Sequence, residues 1–350
     1  MTPHLKSSIL AIVSSLCFFS CSGHRQFVTT HDTHFFPGEQ NSMFVGVNIY
    51  SLASFPESNK FGCGRHFSDE DVDKIFDEMQ SMDARVIRIW AFQSFTENGE
   101  DFSRLDFLIK KANAHSLKLI LTLENQWDAC TNSPYKNADW YRGGYKKPYG
   151  SYKLSYRDYV DKILKRYREE PAVMMWQLIN EAESKTDSGS ADPFALLSFA
   201  ADISGLIKSL DNEHLVSLGT TGGNLSGTAG DAYLYLHDLP TIDVVEAHDY
   251  SIWKDLSYES KRCITTAKRL GKPCFLGEVG LSLDKFSAGE RAQIITAKLS
   301  AARAQGIAGV IIWSYKADER RGMNFDANDP LFKAIRMFRD SYSTAKNKRK

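Results

Sequence analysis

Two stretches decide how this chain reads: Val173-Met-Met-Trp-Gln-Leu-Ile-Asn180-Glu181 and Pro273-Cys-Phe-Leu-Gly-Glu278. Each is a short apolar run that ends in a glutamate. Runs without polar alternation suit parallel strands covered on both faces. An unpaired carboxylate at the end of such a strand is costly to bury, so both acids imply partners or a task.

Six more runs of the same kind surround these two: Phe44–Ile49, Arg85–Ala91, Leu117–Leu123, Leu215–Leu218, Val244–Ala247 and Gly309–Trp313. Helical patterns lie between them. Asp69–Met82 carries Val72, Ile75, Phe76 and Met79 on one face, with Ser68 as a natural N-cap. Phe102–His115, Tyr156–Arg168, Pro193–Leu210, Leu256–Leu270, Ala288–Gln305 and Pro330–Tyr342 read likewise, and a short helix is expected near Asp231–His237. Eight strand–helix repeats predict an α/β protein, a single (β/α)8 TIM barrel. An open doubly wound sheet would carry a glycine-rich turn after its first strand; Asn48-Ile-Tyr-Ser-Leu stands there instead.

The 350 residues suffice for one barrel with insertions, which needs about 250. We divide them into a signal peptide (1–23), a polar segment (24–42), the barrel (43–343) and a basic tail (344–350). Lysine plus arginine and aspartate plus glutamate both number 43, which argues against a nucleic-acid partner. A neutral chain with 12% aromatic residues suits an uncharged polymer such as a polysaccharide.

At the N-terminus, Lys6 precedes an apolar stretch from Ile9 to Phe19 and the small residues Ser20, Ser22 and Gly23, the pattern of an export signal. Phe18-Phe19-Ser20-Cys21 also resembles a lipoprotein cleavage box, so secretion and a lipid anchor on Cys21 both stay open. Outside that segment Cys63, Cys130, Cys263 and Cys274 permit disulfides in an exported chain. Cys263 with Cys274 could meet across a short helix-to-strand connection, while Cys63 and Cys130 fall in loops on one side. Free thiols are the alternative, and no cysteine/histidine spacing indicates zinc.

A barrel of this kind gathers its site at the C-terminal ends of the strands. There stand Asn48 and Tyr50, Arg88 and Trp90, Glu124, Asn125 and Trp127, Asn180 and Glu181, His248 and Tyr250, Glu278, and Trp313. Two carboxylates from separate strands can act on one glycosidic bond, one as acid and one as nucleophile.

At these residues the chain resembles glycoside hydrolase family 5, and within it the endo-β-1,4-mannanases. The resemblance spans about Met43 to Phe338. It rests on Gly46-Val-Asn48-Ile-Tyr50, Val86-Ile-Arg88-Ile-Trp90-Ala-Phe92, Leu119-Ile-Leu-Thr-Leu-Glu-Asn125-Gln-Trp127 and Trp176-Gln-Leu-Ile-Asn180-Glu181. Asp243-Val-Val-Glu-Ala-His248-Asp-Tyr250 and Gly277-Glu278-Val-Gly complete it. Where the family has Asn-Glu-Pro-Arg this chain has Asn180-Glu181-Ala182-Glu183, and Gly219-Thr-Thr-Gly-Gly223 replaces a Glu-Gly-Phe element.

The resemblance implies double displacement, with Glu181 as acid/base and Glu278 as nucleophile. Arg88 and Tyr250 would keep Glu278 ionised, Asn180 would bond the sugar 2-hydroxyl, and His248 would support the acid/base. Trp313 would floor the reacting sugar, Trp127 and Trp90 would flank it, and Asn48 and Asn125 would add hydrogen bonds. Neither metal nor organic cofactor is required by such side-chain chemistry. A monomer is expected. A β-1,4-glucanase, an exo-acting or transglycosylating relative, and a non-catalytic glycan-binding barrel are the alternatives.

Overall fold

The computed structural model describes residues 26–36, 43–55, 63–223, 225–316 and 322–347. The signal segment and Cys21 lie outside the described residues. Strands β1 (Thr29–His31) and β2 (His34–Phe36) form a small antiparallel hairpin. Eight strands follow: β3 (Phe44–Asn48), β4 (Val86–Trp90), β5 (Lys118–Thr122), β6 (Val173–Gln177), β7 (Leu215–Ser217), β8 (Val245–Asp249), β9 (Cys274–Val279) and β10 (Gly309–Ile312). They run parallel in the order β7-β6-β5-β4-β3-β10-β9-β8. The first and last of the eight in the chain, β3 and β10, pair with Gly309 opposite Phe44, so the sheet curls into the expected barrel with only β7 and β8 left unpaired to each other.

Bonds between segments close the β7–β8 seam. Asp243 N donates to Val216 O at 2.9 Å and His248 N to Thr221 O at 3.0 Å. The Glu246 carboxylate accepts from Gly219 N at 3.0 Å.

The helices are α1 (Asp69–Met82), α2 (Ser103–Ala114), α3 (Ala138–Arg142), α4 (Tyr156–Tyr167), α5 (Pro193–Leu210), α6 (Asp231–Asp238), α7 (Tyr258–Leu270), α8 (Ala288–Gln305) and α9 (Pro330–Asn347). Ser68 caps α1 as expected, in a reciprocal box with Asp71. The short α3 has no counterpart in the sequence reading. Helix α9 continues to Asn347, so the bound at 343 cuts through it.

Period-2 alternation sorts the strand residues. On β4 and β5, Ile87, Ile89, Leu119 and Leu121 join the large cluster with the helices, including Ile75, Phe76 and Leu108. Val86 and Ile120 instead join a smaller cluster with Met175, Leu215, Phe275 and Ile311. Val28 belongs to it and Phe35 packs on it. The hairpin therefore closes one end of the barrel, and the segment 24–42 is not merely polar. Its apolar residues are too sparse to announce a strand.

Both disulfides form. Cys63 pairs with Cys130 at a Cα separation of 4.5 Å, and Cys263 with Cys274 at 5.9 Å.

Candidate active site

The opposite end of the barrel is polar. Asn48 and Arg88 are register partners on β3 and β4, so their side chains emerge together. Arg88 is fully buried and spends its donors on four oxygens. Nη1 reaches Asn48 Oδ1 and Glu278 Oε1, both at 2.8 Å. Nη2 reaches Asn180 Oδ1 at 2.7 Å, and Nε reaches Gln177 Oε1 at 2.9 Å. A buried guanidinium tied this way is a fixed charge, and Glu278 is its ion-pair partner.

Glu278 faces His248 across the β8–β9 ladder. A register shift between Ala247 and His248 falls at this point, a device that re-aims side chains. The Tyr250 hydroxyl donates to the second Glu278 oxygen.

Glu181 follows β6 with a left-handed backbone, φ 57°. Its N–H donates to Gly219 O at 2.7 Å. A Cβ on Gly219 would lie 1.9 Å from Ile179 O, so only glycine lets the two backbones approach. Glu181 Oε2 accepts from the Trp127 indole at 2.7 Å, and Oε1 lies 3.1 Å from His248 Nδ1. His248 Nδ1 is also 3.6 Å from Glu278 Oε2.

Glu181, His248 and Glu278 thus bring one polar atom each to within 4.8 Å of one another. The two acids share one small space, as two residues 97 positions apart (278 − 181) were expected to do. The carboxylate oxygens of this trio already accept from Arg88, Tyr250, Trp127 and His248. The set suits proton transfer better than metal binding.

Three carboxylates surround His248: Glu181, Glu278 and Glu246. Burial alone would push its imidazole down, but the charge of Glu278 and the contacts with Glu181 and Glu246 push it up to about 10. Burial pushes Glu181 up, yet the His248 bond and charge, the Trp127 bond and Arg88 outweigh it and hold the carboxyl below its ordinary value. For Glu278 burial wins, against His248 and Arg88, and raises it. The proton therefore rests on His248, beside Glu181, rather than on Glu181 itself.

Some residues expected to touch substrate are enclosed. Asn48 uses its amide on Gly277 O at 3.0 Å and its oxygen on Arg88. Asn125 is 1% exposed and bonds Ala129 O and Asn180. Both support Arg88 and Asn180 from below. Trp90 is 5% exposed and stacks on Phe92 at 4.7 Å with Tyr50 at the same distance, and its indole nitrogen is buried with no hydrogen-bond partner among the described residues. Asn180 keeps one amide hydrogen beyond its bond to Asn125.

Trp313 lies parallel to Tyr50 at 5.2 Å and remains half-buried. Trp127 is 38% exposed at the rim. Its bond to Glu181 was not foreseen from sequence.

Two further residues escaped the sequence reading: Gln177 and Glu246, both fully buried. Gln177 accepts from Arg88 Nε and Thr122 Oγ1 and donates to Glu246 at 2.6 Å. The signal was present, because an acid inside Val244-Val-Glu246-Ala-His248 is as anomalous as the two at strand ends.

A sequence profile described as Cellulase (glycosyl hydrolase family 5) matches residues 48–319. A mannan endo-1,4-beta-mannosidase A from Emericella nidulans is 29% identical over 294 residues, covering 75% of this chain and 74% of that protein. A probable mannan endo-1,4-beta-mannosidase A from Aspergillus flavus is 26% identical over 329 residues, covering 83% and 79%. The crystal structure of the endo-1,4-beta-mannanase from Rhizomucor miehei has the same fold, with TM-score 0.71, 22% identity and coverage of 91% of this chain and all of that one. With a profile match over well more than half its length, on the residues that build this barrel mouth, the chain belongs to glycosyl hydrolase family 5.

Proposed function

We propose that the protein hydrolyses internal β-1,4-mannosidic bonds of mannan or glucomannan with retention of configuration. The observation that carries the mechanism is the shared space of Glu181 and Glu278. Retaining pairs stand about 5–5.5 Å apart, whereas inverting pairs need roughly 6.5–9.5 Å to admit a water. Atoms within 4.8 Å fit the former. The mannan preference rests on the two fungal relatives named above.

Glu278 attacks the anomeric carbon. Arg88 and the Tyr250 hydroxyl steady its negative charge and turn it toward the sugar. A sugar in the cleft covers the open face of Glu181 and raises its proton affinity. One proton then passes from His248 Nδ1 to Glu181 Oε1 and on to the leaving oxygen. In the second half Glu181 takes a proton from water, which releases the sugar from Glu278. The free amide hydrogen of Asn180 bonds the 2-hydroxyl, and Trp313 lies under the ring.

Two disulfides suit an oxidising compartment and hence an exported enzyme acting on an extracellular polysaccharide. A lipid anchor on Cys21 is the alternative to free secretion.

The test is product analysis on defined mannan and cellulose oligosaccharides, with NMR of the anomer first released. Mannan cleavage with a β product is expected. An α product excludes retention, and faster cleavage of cello-oligosaccharides replaces mannan by glucan.

A further inference from the structure

Glu246 has no part in the steps above, yet it is a fully buried acid under the site. Its oxygens accept from Gln177 Nε2 at 2.6 Å, Gly219 N at 3.0 Å and the Ser217 hydroxyl. Three donors spent on two oxygens is the pattern an ionised carboxylate accepts. None of the three carries a charge. Its ion-pair partner is His248, whose Nε2 stands 3.6 Å from Glu246 Oε1.

The fold makes room for this pair. A Cβ on Gly277 would lie 2.1 Å from Glu246 Oε1 and 3.1 Å from His248 Nε2. Glycine at that position leaves the two groups facing each other. Gln177 in turn separates Glu246 from Arg88, because its oxygen takes the guanidinium and its nitrogen takes the carboxylate. Arg88 is thereby committed to Glu278, and Glu246 is left to His248.

We propose that Glu246 is a positioning residue for the acid/base step, holding His248 charged from the Nε2 side so that its Nδ1 proton stays directed at Glu181. This rests on the reading of Glu181 and Glu278 given above. The other groups facing His248 are Glu181 after β6, Glu278 on β9 with its Arg88 partner from β4, and the Tyr250 hydroxyl. Glu278 loses its charge when the glycosyl ester forms. Glu246 does not, and so a standing counter-charge draws the proton back to the imidazole once Glu181 has taken one from water. The proton that His248 Nδ1 gives to Glu181 Oε1 leaves with the departing sugar, and the proton that Glu181 takes from water in the second half returns to His248 Nδ1.

The experiment is the pH profile of kcat/KM for Glu246→Gln and Glu246→Asp, beside an NMR titration of the His248 ring in the wild-type protein. Glu246→Gln should move the alkaline limb to lower pH by about one unit, roughly tenfold in proton affinity. Glu246→Asp keeps the charge and should recover most of that shift. A merely structural role would lower thermal stability and leave the limb where it is, which overturns the proposal. If Glu246→Gln does not fold, the ring titration decides: a His248 that is neutral at pH 7 ends the idea. That titration needs no turnover, so its failure is distinct from failure of wild-type mannan hydrolysis.

Discussion

The closed end of the barrel and its open mouth are built from the same strands, yet they obey opposite rules. Val86, Ile120 and Met175 belong to the apolar cluster near the hairpin. Two residues later on those strands stand Arg88, Thr122 and Gln177, hydrogen-bonded to one another and to the acids. A step of about 6.6 Å along a strand separates a layer that stabilises the fold from a layer that burdens it. The apolar layer gains from removal of surface from water. The polar layer pays desolvation for each charge and recovers it only through dense pairing. Stability and chemistry are thus stacked in separate storeys of one barrel.

The sharpest way to break this division is Glu278→Gln. Turnover should fall by roughly four orders of magnitude, because a unit of the reacting machinery is lost. The folded structure should persist at a cost in stability, since glutamine can keep a hydrogen bond to Arg88 but leaves that buried guanidinium without its ion-pair partner. A steady-state assay and a thermal melt on the same sample check both halves. Near-normal activity would remove Glu278 from the nucleophile role.

The converse change is Phe275→Ala in the apolar layer. It should cost about 3–5 kcal/mol of stability by urea titration. The activity of the molecules that remain folded should barely change.

The disulfides sharpen the contrast on the outside. Cys63 and Cys130 enclose 67 residues and Cys263 and Cys274 only 11. Chain-entropy estimates give about 4 and about 3 kcal/mol for replacing each pair by alanine. The first bond also tethers the loop that carries Trp127, so only its loss should raise KM.

Trp127→Phe removes the indole donor from Glu181. A hydrogen bond to a charged group is worth about 1.5–3 kcal/mol, so kcat should fall tenfold to a hundredfold with stability unaltered.

The effect spread over the widest range of conditions is in pH. His248 binds its proton more tightly folded, at about 10, than its ordinary 6.5. Its contribution is complete below 6.5 and is lost as pH rises through 10, at about 1.4 kcal/mol per unit. His237, buried in α6, is pushed down to about 4 instead. Its contribution is present above 6.5 and is lost as pH falls through 4. Denaturant titrations across pH should show the alkaline slope vanish in His248→Asn and the acid slope vanish in His237→Asn.

Much of this was legible without coordinates. Helices α1, α5 and α8 have the expected bounds, because their apolar spacing and caps are local properties. Glu181 and Glu278 were legible because an acid closing an apolar run has few structural excuses. Strand β8 was placed short of its true end at Asp249, since His248 and Asp249 do not look like strand residues.

Local pattern and composition alone determined eight parallel strands, the helices around them and the two acids at the strand ends, because each is written in a few consecutive residues. Tertiary structure alone decided that Glu246 lies under His248, that Gln177 parts it from Arg88, and that Trp127 bonds Glu181. Those contacts depend on sheet register, on the irregularity between Ala247 and His248, and on the bare backbone at Gly277. Such features arise from the fit of distant segments, and no one segment encodes them.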